Sequence, residues 1–163
     1  MTRPDDTDLG ELASHLAEAV AGSGRRLATA ESCTGGWIAK CCTDLAGSSN
    51  WFERGFVCYS YASKRELLGV DAVELETQGA VSEVVARQMA AGAIANSQAE
   101  LALAVTGIAG PAGGMPGKPV GTVWFAWSVN GEVTSEARTF AGDRDAVRRQ
   151  TVAHSMQGLL TRL

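Results

Sequence analysis

Apolar positions along the chain follow two different periods. Leu9, Leu12, Leu16 and Val20 recur at three- and four-residue spacing, which predicts an amphipathic helix over Asp8–Ala21, ended by Gly22 and Gly24. Arg26–Glu31 follows as a short strand, and Ser32–Gly36 turns the chain into a second helix over Trp37–Leu45. Ala46–Asn50 reads as a small-residue loop. The large side chains of Phe56–Tyr59 predict a buried strand, and Ser63–Gly69 a short helix closed by its glycine. Ser82 is the expected N-cap of a helix over Glu83–Asn96, with Glu83 suited to the positive end of its dipole. Leu101–Val105 is unbroken apolar sequence, the mark of a central strand covered on both faces. Val120–Val129 and Glu132–Phe140 flank Asn130-Gly131, the strongest hairpin signal in the chain. A last helix begins near Asp143, with Val152, Met156, Leu159, Leu160 and Leu163 on one face.

Helices interleaved with strands, plus one hairpin, predict an α/β protein: a three-layer α/β/α sandwich around a mixed β-sheet. The 163 residues fit a single domain, 1–163, long enough to bury a core, with no internal repeat or linker. In such sheets ligands gather at the carboxyl ends of the strands. Ser32, Tyr59 and Thr106 all fall at such ends in this reading.

Charge and composition narrow the function. A net charge of −4 and the lack of a Lys/Arg cluster leave no footprint for nucleic acid. No apolar run approaches the ~18 residues of a membrane span, and the polar, acidic stretch Met1–Asp8 resembles neither a secretory signal nor a transit peptide. A cytoplasmic location is expected. The four cysteines, Cys33, Cys41, Cys42 and Cys58, show no metal-ligand spacing and read as buried thiols. His15 and His154 stand at opposite ends of the chain, so no metal-ligand set is expected, and serine chemistry of the kind considered below requires no cofactor.

Four segments carry candidate chemistry. In Ala30-Glu31-Ser32-Cys33-Thr34-Gly35-Gly36 a serine at a strand end would be exposed beside the first amides of a helix, donors able to hold an oxyanion. On spacing alone, a simple helix cap by Ser32 or Thr34 is the commoner role. Cys33 is a rival nucleophile without a neighbouring histidine to deprotonate it. In Val57–Lys64 a strand end and a helix start bring Tyr59 and Lys64 to one sheet edge. With no placed histidine, Ser–Lys is the surviving route to an activated serine, although most lysines are merely solvated. Thr106–Thr122 holds five glycines between Gly107 and Gly117, followed by Lys118, but lacks the P-loop pattern. In Gly142–Arg149 either Arg144 or Arg148 could grip a phosphate, or simply decorate a capped helix start.

Together these blocks resemble one family, the stand-alone form of the CinA C-terminal domain. The resemblance runs from about Leu27 to Arg149, through the Ala30–Gly36 block, Ala46-Gly47-Ser48-Ser49, Gly79-Ala80-Val81-Ser82, Thr106–Pro111 and Lys118–Thr122. It implies an α/β/α fold and hydrolysis of the carboxamide of nicotinamide mononucleotide to nicotinate mononucleotide and ammonia, within pyridine nucleotide recycling. It implies a serine nucleophile at Ser32, with family tyrosine and lysine positions matching Tyr59 and Lys64. Thr34, Gly35, Gly36, Ser48, Ser49, Thr106, Gly107, Lys118 and Arg144 are the candidates for substrate contacts. Ala112 stands where relatives often carry an acidic residue. Larger CinA proteins have a further N-terminal domain, whose activity is not carried over. A non-catalytic nucleotide-binding module of the same fold is the competing reading. The sequence sets no oligomeric state, and a homodimer would be unsurprising.

Overall fold

The computed structural model describes residues 3–163; the first two residues of the acidic stretch Met1–Asp8 lie outside them. Helices α1 (Asp6–Gly22), α2 (Trp37–Thr43), α3 (Tyr61–Leu68), α4 (Ala72–Gln78), α5 (Glu83–Ala95) and α6 (Arg144–Leu160) surround five strands. These are β1 (Leu27–Glu31), β2 (Phe52–Val57), β3 (Leu101–Gly107), β4 (Thr122–Val129) and β5 (Glu132–Thr139). The sheet order is β2-β1-β3-β4-β5. β2, β1 and β3 are parallel, β4 is antiparallel to β3 and β5 antiparallel to β4, the mixed sheet that the interleaved pattern predicts.

Side chains on the central strands alternate by size as well as by face. Leu27, Leu101, Leu103, Val105, Val123, Phe125 and Trp127 pack against α1, α2 and α6. Ala28, Ala30, Ala102, Ala104 and Ala126 face the other layer, with α5 at its centre. An alanine surface lets a helix lie close, and α5 answers with Ala86, Ala90 and Ala93 of its own. Gly92 continues that theme toward α3, since a Cβ there would stand 1.9 Å from the Leu68 carbonyl oxygen. The β4–β5 turn is the predicted Asn130-Gly131 pair, with both residues at positive φ (54° and 79°).

Several elements differ from their sequence reading, each for a local reason. β2 spans Phe52–Val57 rather than Phe56–Tyr59, and it is half-exposed because it lies at the sheet edge and pairs only with β1. Helix α4 was not expected, since its one buried side chain, Leu75, leaves no periodic signal; Asp71 caps it by accepting from the Val73 and Glu74 amides. Ser82 sits at the N-cap position of α5, but its hydroxyl donates to the Gly79 carbonyl and does not cap. Ser48–Asn50 forms a single 3-10 turn. Leu163 lies beyond the end of α6 and is exposed. No helix among the described residues is long and apolar enough to cross a membrane.

The Gly92 contact sets the distance between α3 and α5, so Gly92→Ala should destabilise the protein by about 1–3 kcal/mol through overpacking. Thermal denaturation checks this, and a melting temperature equal to the parent's would show that the α3–α5 spacing is not tight.

Candidate active site

The carboxyl ends of β1, β2 and β3 lie along one edge, together with the start of β4 and the start of α6. Four connecting segments therefore converge there, β1–α2, β2–α3, β3–β4 and β5–α6. Ser32 follows β1 directly, anchored by its amide donating to the Val105 carbonyl of β3 at 3.1 Å. Only 8% of its surface is exposed.

Lys64 arrives from α3, whose start is fixed by a reciprocal cap between Ser60 and Ser63. One turn separates Lys64 from Leu68, and both point inward. The lysine is 1% exposed, so the common solvated fate does not apply. Its Nζ lies 2.9 Å from Ser32 Oγ and donates to the Cys58 carbonyl at 2.9 Å. Burial pushes its pKa below the ordinary lysine value, and among the described residues no carboxylate stands against it to restore the charge. A buried amine with a depressed pKa at this distance is able to take the serine proton.

Behind the serine, Glu31 fills the N-terminus of α2. Its carboxylate accepts from the Thr34 hydroxyl at 2.6 Å and from the amides of Gly36 (3.1 Å), Ile38 (3.0 Å) and Ala39 (2.8 Å). Burial raises the pKa of Glu31, while the four donors pull the other way. The helix cap expected of Ser32 or Thr34 thus belongs to the residue before them. One consequence narrows the expected oxyanion donors, the amides near Thr34–Gly36 or Gly107: the Gly36 amide is occupied by Glu31, and that of Gly35 by the Ser32 carbonyl at 3.1 Å. The amides of Cys33 and Thr34 form no hydrogen bond among the described residues. Cys33 itself is buried, its thiol pushed up to about 12, so it holds no thiolate to compete with the serine.

The remaining candidates separate into two groups. Tyr59 lies at the mouth, 62% exposed, and its hydroxyl accepts from Arg144 Nη2 at 3.0 Å, not from Lys64 or Ser32. Arg144 also donates to the Gly110 carbonyl at 2.8 Å, pinning one limb of the glycine-rich loop. Lys118 pins the other limb through the Gln78 carbonyl at 2.6 Å. Thr106 is buried, with its hydroxyl on the Ala80 carbonyl, and Gly107 ends β3 opposite Val123. Ser48 and Ser49 are not brought to this edge. A parallel β1–β2 pair requires the crossover through α2 to return to the amino end of the sheet, where Trp51 accepts from the Leu27 amide. Glu31 and Arg148 are the residues whose roles at this edge the sequence did not disclose. The Glu31 signal was its place directly before a glycine-rich helix start. Among the described residues, no group of three or more His, Cys, Asp and Glu side chains is placed to hold a metal ion.

Fold and site together define the class: a mixed-sheet α/β protein with a buried serine–lysine pair at the carboxyl edge. The chain belongs to the CinA C-terminal domain family, which it matches over residues 9–163. It is 50% identical over 155 residues to the nicotinamide-nucleotide amidohydrolase PncC of Escherichia coli K12, covering 94% of each chain. It is 53% identical over 149 residues to the protein of the same name from Pseudomonas putida, covering 91% of this chain and 93% of that one. A crystal structure of a CinA superfamily protein from Escherichia coli superposes with a TM-score of 0.93 at 39% identity, covering 99% of this chain and 95% of that one.

Glu31→Gln keeps the shape but turns an NH2 toward donors that need an acceptor. The variant should lose about 1–3 kcal/mol of stability. Chemical denaturation measures this; an unchanged midpoint would mean that the α2 amides find other partners.

Proposed function

We propose that the protein is a nicotinamide-nucleotide amidohydrolase that converts nicotinamide mononucleotide to nicotinate mononucleotide and ammonia through an ester on Ser32. The observation that carries this reading is the 2.9 Å contact between Ser32 Oγ and a buried Lys64 Nζ that has no counter-ion among the described residues. The names of the close relatives give the substrate class.

Neutral Lys64 keeps one N–H on the Cys58 carbonyl, which directs its lone pair toward the serine hydroxyl. Ser32 Oγ gives its proton to Nζ and bonds to the carboxamide carbon, and the carbonyl electrons move onto oxygen. The unclaimed amides of Cys33 and Thr34 are the donors adjacent to that oxyanion. Collapse of the adduct breaks the C–N bond, and the Lys64 ammonium returns the proton to the departing ammonia. Neutral Lys64 then deprotonates a water that attacks the ester, releasing the carboxylate and restoring Ser32. The pyridinium ring withdraws electrons from the reacting carbon throughout. Arg144, exposed at the mouth beside Tyr59, is the cation we assign to the substrate phosphate. Tyr59 is assigned to substrate placement rather than to a proton relay, because its hydroxyl is bonded to Arg144. A non-catalytic nucleotide-binding module would have no use for the depressed Lys64, and it would release no ammonia.

Ser32→Ala should lose about 10³-fold or more in kcat for ammonia release from nicotinamide mononucleotide, with Cys33→Ala losing far less. An active Ser32 variant would end the ester mechanism, and a wild-type protein that releases no ammonia would favour the binding module.

Because the neutral amine is the working form, the rate should rise with pH through an apparent pKa below the lysine reference of about 10.4. Lys64→Arg retains the charge but cannot give up the proton, so it should be as inactive as Lys64→Met. Retention of most activity by the arginine variant would reduce Lys64 to electrostatic support.

A further inference from the structure

Arg148 reaches the nucleophile turn from α6, from a position 115 residues along the chain from Cys33. Its Nε donates to the Cys33 carbonyl at 3.1 Å and its Nη2 to the Thr34 carbonyl at 2.9 Å. The guanidinium also lies over the Trp37 ring, 5.2 Å from its centroid. The neighbouring Arg149 lies over the same ring, 4.9 Å from its centroid, but pairs with Asp6 and Asp145 and not with the turn.

The Cys33–Thr34 and Thr34–Gly35 peptides are both trans, so in each the carbonyl points opposite to the N–H. At the second plane this is visible from both sides. The Thr34 carbonyl meets Arg148, and the Gly35 N–H meets the Ser32 carbonyl at 3.1 Å. At the first plane the Cys33 carbonyl also meets Arg148, so the Thr34 N–H leads away from the guanidinium. That N–H is one of the two left without a partner among the described residues.

We propose that Arg148 is a positioning residue, gripping both carbonyls so that the Thr34 N–H stays aimed at the oxyanion formed when Ser32 attacks. The proposal rests on the ester mechanism above. It assigns Arg148 a task that only a planar fork performs: two in-plane donors fix two carbonyls at once, where a lysine ammonium would hold them as a point charge. Arg148 does not touch the reacting atoms. Its effect passes through the Cys33–Thr34 and Thr34–Gly35 peptides.

The test compares Arg148→Ala, Arg148→Lys and the parent in steady-state turnover of nicotinamide mononucleotide, with and without added guanidinium at non-denaturing concentration. Misplacing a donor costs on the order of 10- to 100-fold. Both variants should lose that much in kcat while KM stays within about threefold. Guanidinium should restore part of the alanine variant's kcat, and the rising limb of the pH profile should keep its position because Lys64 is untouched. A kcat within twofold of the parent overturns the proposal. So does a loss confined to KM, or a folded alanine variant that guanidinium does not restore. If Arg148→Ala does not fold, the kcat of Arg148→Lys decides. Acid-quenched mass spectrometry of the parent separates the two levels of the account: an ester on Ser32 together with normal kcat in the variants removes only the role of Arg148, whereas no ester removes the mechanism beneath it.

Discussion

A buried lysine amine with no counter-ion among the described residues, hydrogen-bonded to one serine, is the constraint around which this molecule is arranged. Each pKa unit by which such an amine is depressed represents about 1.4 kcal/mol of lost preference for the charged form. The surroundings of Lys64 are built to hold it in place. The Ser60–Ser63 cap fixes the start of α3, Leu68 anchors the next turn, and Gly92 lets α5 press against the helix end. The Cys58 carbonyl takes one N–H, leaving the serine as the other polar neighbour. The alanine face of the sheet is what allows α5 to lie close against it.

On the other side of the serine the electrostatics are reversed. Glu31 supplies a built-in anion to the first amides of α2, so that helix end is already satisfied. The turn between these two groups is clamped from inside by Glu31, through Thr34, and from outside by Arg148. Serine, amine and free amides are thus held by three elements far apart in sequence. The mouth is framed more loosely, by the exposed Tyr59–Arg144 pair and by a glycine-rich loop tied down at Gly110 and Lys118.

Much of this was legible in the sequence because it rests on local patterns. The apolar run at Leu101–Val105, the Asn130-Gly131 turn and the amphipathic first helix each follow from periodicity or turn chemistry. The meeting of Ser32 with Lys64 followed from placing two strand ends on one edge. What escaped depended on other kinds of information. Helix α4 buries one leucine and has no period to detect. The edge position of β2 is a matter of strand order, which large side chains alone do not reveal. Ser48 and Ser49 shared a family motif with no indication that the crossover carries them to the far end of the sheet. Arg148 read as either a phosphate grip or a surface charge, since its partners are backbone carbonyls that leave no mark in a sequence.

The charge state of Lys64 tests the account most directly. The chain contains three lysines, Lys40, Lys64 and Lys118, so isotope-labelled lysine gives few side-chain signals to follow by NMR during a pH titration. Lys40, held by Asp44 at the surface, should titrate above the ordinary lysine value and serves as an internal reference. The account requires the Lys64 amine to titrate well below it, as a neutral base beside Ser32. A Lys64 that remains charged up to the ordinary range of about 10.4 or beyond would contradict it.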